Sequence, residues 1–566
     1  VQDGIIPRSS LSRNSLSLNL GKKISDRFNV RAHLNYISTN TDGRPAQSSN
    51  DPNIIVSLVN DIPRTVDIHK LGANYFDETT GEQVTLTPAR NGNNPFWVIN
   101  NNGYLNKVER VYGNVQLNYD LFSWLSVSNN LGVDFYNEFR RGVTRKGTIG
   151  RLNGAFLDAN LYNRVLNNDL ILTSQQKLGE NISAKFLAGG NINERSFRSM
   201  QVDAKDLVVD ELYTYTNASS TVPTNRMEHK RLLGLYGEID LSYKDYLYFS
   251  ITGRNDWSSV LPIENRSYFY PSISSSFIFT EVINSPSWLT YGKLRASWAN
   301  VGSDDDPYQT DFYYEPQSSA YAQFGYGVTF PFNGALAYSI PLTIPAYGLK
   351  PQNQSSFEVG TELRFLSSRI NLDFTYYRSY TSEQIVALDV ANSTGYRTER
   401  INAGAVENKG IEVLLGLVPV KTNQFIWNLD FNYSRNRQIL RDLPPSLTTY
   451  TLASGWSSLQ IMAEEGKEFG IYGTGWLRDP DGNIVIDPQT GLRRKADNLR
   501  LGDLYPEYML GINNSFSYKG FNLGFLIDIR EGGVLYSGTV SELRTLGLAK
   551  ETLPNRDKAF IDDGVI

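Results

Sequence analysis

The sequence predicts an all-β fold, a large antiparallel transmembrane β-barrel with long extracellular loops. Three observations carry that reading. The first is an alternation from Ser356 to Tyr433. Phe357, Val359, Thr361, Leu363 and Phe365 share one parity, and Glu358, Gly360, Glu362 and Arg364 the other. Past a turn at Leu366 to Arg369, Ile370, Leu372, Phe374 and Tyr376 alternate with Asn371, Asp373, Thr375 and Tyr377. Ile411, Val413, Leu415 and Leu417 then oppose Gly410, Glu412, Leu414 and Gly416. Phe425, Trp427, Leu429, Phe431 and Tyr433 oppose Ile426, Asn428, Asp430, Asn432 and Ser434. A period of two gives each set its own strand face. The second observation is length: these segments run about 10 residues, enough for a tilted strand to cross a bilayer, whereas soluble strands average about 5–6. The third is that connections alternate tight, long, tight, as they do when one rim carries short turns and the other long loops. A soluble sandwich shares only the alternation.

Taken in order, Leu16, Leu18 and Leu20 end one strand, and Gly21 to Asp26 turn into Phe28, Val30, Ala32, Leu34 and Tyr36. The polar stretch Ser38 to Asn106 exceeds an ordinary connection, so it is functional or folded on itself. Val111 to Tyr119 and Leu125 to Phe135 form the next hairpin, and a loop is expected over 137–167. Leu170–Leu178 pairs with Ile182–Ala188, and a second loop is expected over 195–230. Leu233 to Tyr243 turns at Lys244-Asp245 into Leu247, Phe249 and Ile251. Tyr268 to Phe279 and Tyr291 to Trp298 follow, then an aromatic-rich loop over 302–354. After the four opening segments come a polar loop over 436–505 and a last hairpin, Leu510–Tyr518 with Phe521–Ile529. About 16 strands are readable.

The chain has 566 residues, no Cys, 34 Tyr, 27 Phe and 8 Trp, with a net charge of -5. Its mean hydropathy of -0.35 fits a barrel, in which alternate residues alone face lipid. No apolar run reaches the roughly 18 residues of a membrane helix, and no basic block suggests nucleic acid. His33, His69 and His229 are too scattered to suggest a metal site. Walker, H-E-x-x-H, G-x-S-x-G and C-x-x-C patterns are absent, so no enzyme or cofactor is expected. Asp479-Pro480-Asp481-Gly482-Asn483 lacks the glycine position and the Glu of a calcium loop and reads as an Asx-type turn. Neither a signal peptide at Val1 nor a closing strand at Ile566 is visible, and an open sheet leaves edge groups unpaired in lipid. Residues 1–566 are therefore expected to be an internal barrel section of a longer protein.

At Gly404-Ala405-Val406-Glu407-Asn408-Lys409-Gly410-Ile411-Glu412 the sequence resembles the SusC/RagA-like TonB-dependent transporters, which carry G-x-x-x-N-K-G-I-E at the start of a late strand. Tyr243-Lys244-Asp245-Tyr246-Leu247 is similar to the family's S-Y-K-D-K-Y turn. Gly253 to Ser259 stands where the family has R-x-D-G-S-S, with Trp257 replacing the Gly. Tyr270 to Ser274, Leu294 to Trp298 and Tyr518 to Phe521 are similar to F-P-S-x-S, L-R-x-S-[YW] and Y-K-x-F, in the family's order. The resemblance, read over the whole chain, implies about 22 strands, a plug and TonB box absent from this chain along with the first and last strands, and an outer-membrane location. It further implies a SusD-like lipoprotein lid, TonB as driver, oligosaccharide or peptide as cargo, and a dimer of transporter–lid pairs. A lidless siderophore or cobalamin receptor and a passive pore are the rival readings.

Candidate site residues fall in two groups. Glu358, Glu362, Asp373, Glu412 and Asp430 share the polar parity and are expected on the lumen wall, as plug contacts or as plain hydrated lining. Tyr313, Tyr314, Tyr321, Phe324 and Tyr326 cluster in one loop, and Trp456 and Trp476 in another. Lid contact, stacking on cargo and packing within the loop all fit these rings. Tyr243, Tyr376, Trp427 and Tyr433 at strand ends read as interfacial girdle residues.

Overall fold

The computed structural model describes residues 1–566 except 45–53, 55–56, 59–61, 63–64, 86–91, 318, 321–327, 331, 445–446, 456–457, 555, 559–562 and 566. Sixteen long strands form one sheet among these residues. They are β1 (Ser10–Lys23), β2 (Phe28–Asp42), β3 (Gly103–Phe122), β4 (Leu125–Thr144), β5 (Ala155–Lys177), β6 (Ile182–Leu207), β7 (Ala218–Tyr243) and β8 (Leu247–Ser258). The series continues with β9 (Ser267–Ile278), β10 (Leu289–Ser303), β11 (Gln352–Phe365), β12 (Ile370–Ser382), β13 (Ala405–Lys421), β14 (Phe425–Asp442), β15 (Tyr508–Tyr518) and β16 (Phe521–Glu531). Each pairs antiparallel with the next, and the two-residue strand Gln2–Asp3 flanks β1.

Register confirms the expected hairpins. Glu362 lies opposite Asp373, Phe374 opposite Val413, and Leu417 opposite Leu429. Two-residue turns need positive φ at both central positions to match strand twist. Lys244 and Asp245 adopt φ of 46° and 56°, and Lys519 and Gly520 adopt 47° and 92°. Trp257 continues β8, paired with Leu233 and Ser267.

Two expected loops are largely strand. β4 runs to Thr144 and β5 starts at Ala155, so most of 137–167 is ladder; β6 and β7 likewise reach Leu207 and Ala218. These extensions lie beyond the lipid-facing band, where both faces meet polar surroundings and apolar alternation stops. The stretch 436–505 is also structured. β14 continues to Asp442, and Thr449–Ser454, Gln460–Glu464, Gly470–Trp476 and Lys495–Asp503 form a separate antiparallel sheet. Ala463 of that sheet and Phe469, just before its strand Gly470–Trp476, bury against Val406 of β13 and Leu440 of β14. In the first long connection, Trp97 is fully buried and donates from Nε1 to Thr148 Oγ1 at 2.9 Å, fixing that segment to the turn between β4 and β5.

One carboxylate ties three strands together above the membrane. Glu407 lies on β13 beyond the Val413–Tyr433 pair and is 3% exposed. Arg378 of β12 donates to it at 2.6 Å and Arg441 of β14 at 2.8 Å. Arg441 and Arg378 together hold its carboxyl down to about 2, against desolvation that raises it. A second tie crosses a strand: Arg295 of β10 passes over Gly360 of β11 to reach Asp373 of β12 at 2.6 Å. A Cβ at Gly360 would lie 2.8 Å from Arg295 Nε and 2.8 Å from Phe374 O.

Two outcomes follow for the folded barrel in detergent. A depressed carboxyl contributes stability above its ordinary range, from 4.5 upward, and loses it as pH falls toward about 2. Glu407→Gln should therefore cost about 1–2 kcal/mol at neutral pH, the arginines being partly solvated, with the gap to wild type closing below about pH 4 in urea titrations; a pH-independent gap would refute the assignment. Gly360→Val should displace Arg295 and cost about 1–3 kcal/mol by overpacking, measured as a lower temperature of heat-modifiable gel migration.

Candidate functional site

The strands sort their side chains as a barrel wall does. Leu16, Leu18, Leu20, Leu117, Leu172, Leu235, Leu294, Phe357 and Leu523 stand exposed on one face. The opposite face is polar and concave: Gln175, Lys185, Asp240, Ser250, Ser276, Arg295 and Glu358, drawn from β5 to β11, line one cavity of ≈860 Å³. This polar face is the candidate site.

Its chemistry changes around the wall. On β2 to β6 it is an amide ladder. Asn118 donates to Asn29 at 3.1 Å, Asn114 to Asn130 at 2.7 Å, and Asn191 to Asn167 at 3.0 Å and Asp169 at 2.7 Å. Across β7 to β10 it is rich in hydroxyls, with Ser242, Ser250, Ser274, Ser276 and Ser297 around the cavity. Lys185 there bridges Glu238 at 2.8 Å and Asp240 at 3.0 Å. Toward the outer rim Arg254 donates to buried Asp256 at 2.8 Å, and Tyr270 donates to the same carboxylate. Gly234 makes room for this group, since a Cβ there would lie 2.5 Å from Arg254 Nη2 and Asp256 Oδ1.

The third sector, β11 to β14, holds the five carboxylates chosen from sequence. Glu362 is compensated by Lys293 at 2.9 Å and Arg364 at 2.7 Å, and Asp373 by Arg295. Glu358 and Glu412 are exposed and Asp430 half-buried; among the described residues none of the three has an ion-pair partner. The wall thus divides into a neutralised part and a negative patch. Sequence reasoning missed the amide ladder and the Lys185 and Arg254 groups. Their signal, polar residues recurring at one parity, was present in every strand.

The loop aromatics are only partly placed. Tyr313 and Tyr314 are exposed, and Tyr314 meets Phe312 edge-on at 5.6 Å. Trp476 is exposed at the end of a loop-sheet strand, with Arg493 over its ring at 5.6 Å. Tyr321, Phe324, Tyr326 and Trp456 lie outside the described residues. The girdle residues are better defined. Trp427 stacks on Phe516 at 5.5 Å and Tyr433 on Tyr508 at 5.7 Å. At the Asp479 turn, Asp479 Oδ1 accepts from Asn483 N at 2.8 Å, a side-chain-to-backbone bond four residues on, where an Asx turn closes two residues on.

A family model described as TonB dependent receptor-like, beta-barrel matches residues 56–492. TonB-dependent receptor P26 of Formosa agariphila is 23% identical over 573 residues, which is 95% of this chain and 55% of the relative. TonB-dependent receptor SusC of Bacteroides thetaiotaomicron is 23% identical over 318 residues, 52% of this chain and 30% of that protein. A structure of the RagAB peptide transporter matches with a TM-score of 0.75 at 17% identity, over 92% of this chain and 57% of that one. A second, of the RagAB peptide importer in the closed-closed state, gives 0.74 at 16% identity over 93% and 58%. The chain spans about half the length of the curated relatives that align to nearly all of it. With a family model matched across most of its residues and a RagA-like succession of strands, the chain belongs to the TonB-dependent receptor-like β-barrel family of the outer membrane.

Proposed function

We propose that the protein containing this chain imports oligosaccharides or peptides across the bacterial outer membrane, driven by TonB and capped by a SusD-like surface lipoprotein. The observation that carries the reading is the match of 92% of the chain to the RagAB peptide transporter, together with the polar wall. The amide and hydroxyl lining of β2 to β10 offers hydrogen bonds to hydroxylated or amide-bearing cargo, with Arg110, Lys185 and Arg254 there held in ion pairs. The negative patch at Glu358, Glu412 and Asp430 supplies a contact surface for a plug. Residues 1–566 act as the barrel section. Among the described residues the far edge of β16 is unpaired and that of β1 carries only the two-residue strand Gln2–Asp3, edges that hydrocarbon tolerates only when they are partnered.

Cells carrying the whole protein should deplete oligosaccharide or peptide mixtures from the medium, followed by mass spectrometry, and deleting TonB should abolish that depletion. Unchanged uptake would overturn the reading. Gentle purification should bring a lipoprotein of lid size with the barrel. A chain travelling alone and conducting openly in planar bilayers would establish the passive pore instead.

A further inference from the structure

We infer that the outer surface of β12 to β14 binds the phosphate of an outer-leaflet lipid headgroup. The inference rests on the outer-membrane placement of the barrel, not on the import reading. On these strands the apolar face ends at Tyr376, Ile411 and Tyr433. The next positions of the same parity are Arg378, Lys409 and Arg435, with Arg437 directly beyond. Arg378 lies opposite Lys409, and Lys409 opposite Arg437, so three cations stand in one row across adjacent strands. Like charges directly opposed destabilise a sheet, and the protein offers few anions in return. Glu407 is committed to Arg378 and Arg441 and stands 4.0 Å from Lys409. Glu468 meets Arg437 at 3.4 Å. Arg435 has no acidic partner among the described residues. The side chains of Arg378, Lys409 and Arg437 are 58%, 40% and 50% exposed.

Height selects the anion. The row sits immediately above the lipid-facing band, at the depth where headgroup phosphates lie. Guanidinium forks match phosphate oxygens in two-point contacts. Acyl chains of the same molecule would run down over Tyr376, Ile411, Val413 and Tyr433, which a free phosphate could not use. The ligand is accordingly an outer-leaflet lipid with a multiply phosphorylated, net-anionic headgroup, which a row of three cations prefers over a zwitterionic phospholipid.

The test uses the full-length protein, delipidated in detergent. Its probes are diphosphorylated lipid A, phosphatidylethanolamine and inorganic phosphate, read by native mass spectrometry and by the heat-modifiability midpoint. Wild type should bind and be stabilised by lipid A above the other two. Arg435→Gln combined with Arg437→Gln should weaken lipid A binding roughly 30-fold, which is about 2 kcal/mol for two cations at an anionic surface. Arg435→Gln alone, which removes no ion pair of the protein, guards against misfolding and should show a smaller loss of the same sign. Equal binding of lipid A and phosphatidylethanolamine, or of wild type and double variant, would overturn the proposal. So would equal stabilisation by inorganic phosphate. Protection of Lys409 from amine labelling by a co-purified protein, and not by lipid A, would also overturn it.

Discussion

Hydrocarbon offers a backbone no water, so every N–H and C=O that crosses it must sit in a ladder. The rest of this structure depends on that requirement. It forces each strand against its sequence neighbour from β1 to β16 and leaves no place for irregular backbone within the lipid-facing band. Register shifts in the main sheet accordingly fall near strand ends, between Asp120 and Phe122, Leu289 and Tyr291, Ala405 and Val406, and Leu417 and Val420. Because pairing is fixed, side-chain parity is fixed too, and the two faces can evolve toward different media.

The polar face solves a second problem, which is to carry charge without closing the lumen. Several of its ion pairs run sideways from strand to strand along the wall. Arg110 of β3 meets Asp134 of β4, Lys185 of β6 meets Glu238 of β7, and Arg295 of β10 meets Asp373 of β12. Such links brace neighbouring strands and keep long side chains flat against the sheet. Glycines at 234 and 360 clear their paths. Where no lateral cation stands, at Glu358, Glu412 and Asp430, the wall keeps a net negative surface facing the lumen.

How much of this the sequence disclosed follows from the medium each segment meets. Where one face meets lipid, the alternation of Phe357 with Glu358 or Leu372 with Asp373 is unambiguous, and all sixteen strands were legible. Where β4 to β7 rise into water, Asn160, Asn163 and Arg195 carry no face preference, and ladder reads as loop. The loop sheet hid for a similar reason: a few buried contacts such as Phe469 on Leu440 hold it, too few to set a period. Of the candidate site, the carboxylates could be assigned to the polar face. Their compensation could not, because Arg295 reaches Asp373 across an intervening strand and no local spacing encodes that contact.

The segment Glu407 to Glu412 shows how much one short stretch can hold when it crosses a boundary between media. Glu407 anchors two arginines above the membrane. Lys409 points to the outer surface just above the band, and Ile411 begins the lipid face. Gly410 lets the Tyr377 ring lie against the backbone, since a Cβ there would meet its hydroxyl at 2.5 Å, and that hydroxyl donates to Asn436 at 3.1 Å. Glu412 turns into the lumen. Each residue answers to a different neighbour: rim, headgroup, facing ring, hydrocarbon, water. A one-residue slip would put Lys409 in the lumen and Glu412 toward lipid. The motif is thus a register mark, fixed by the incompatible solvents on its two sides.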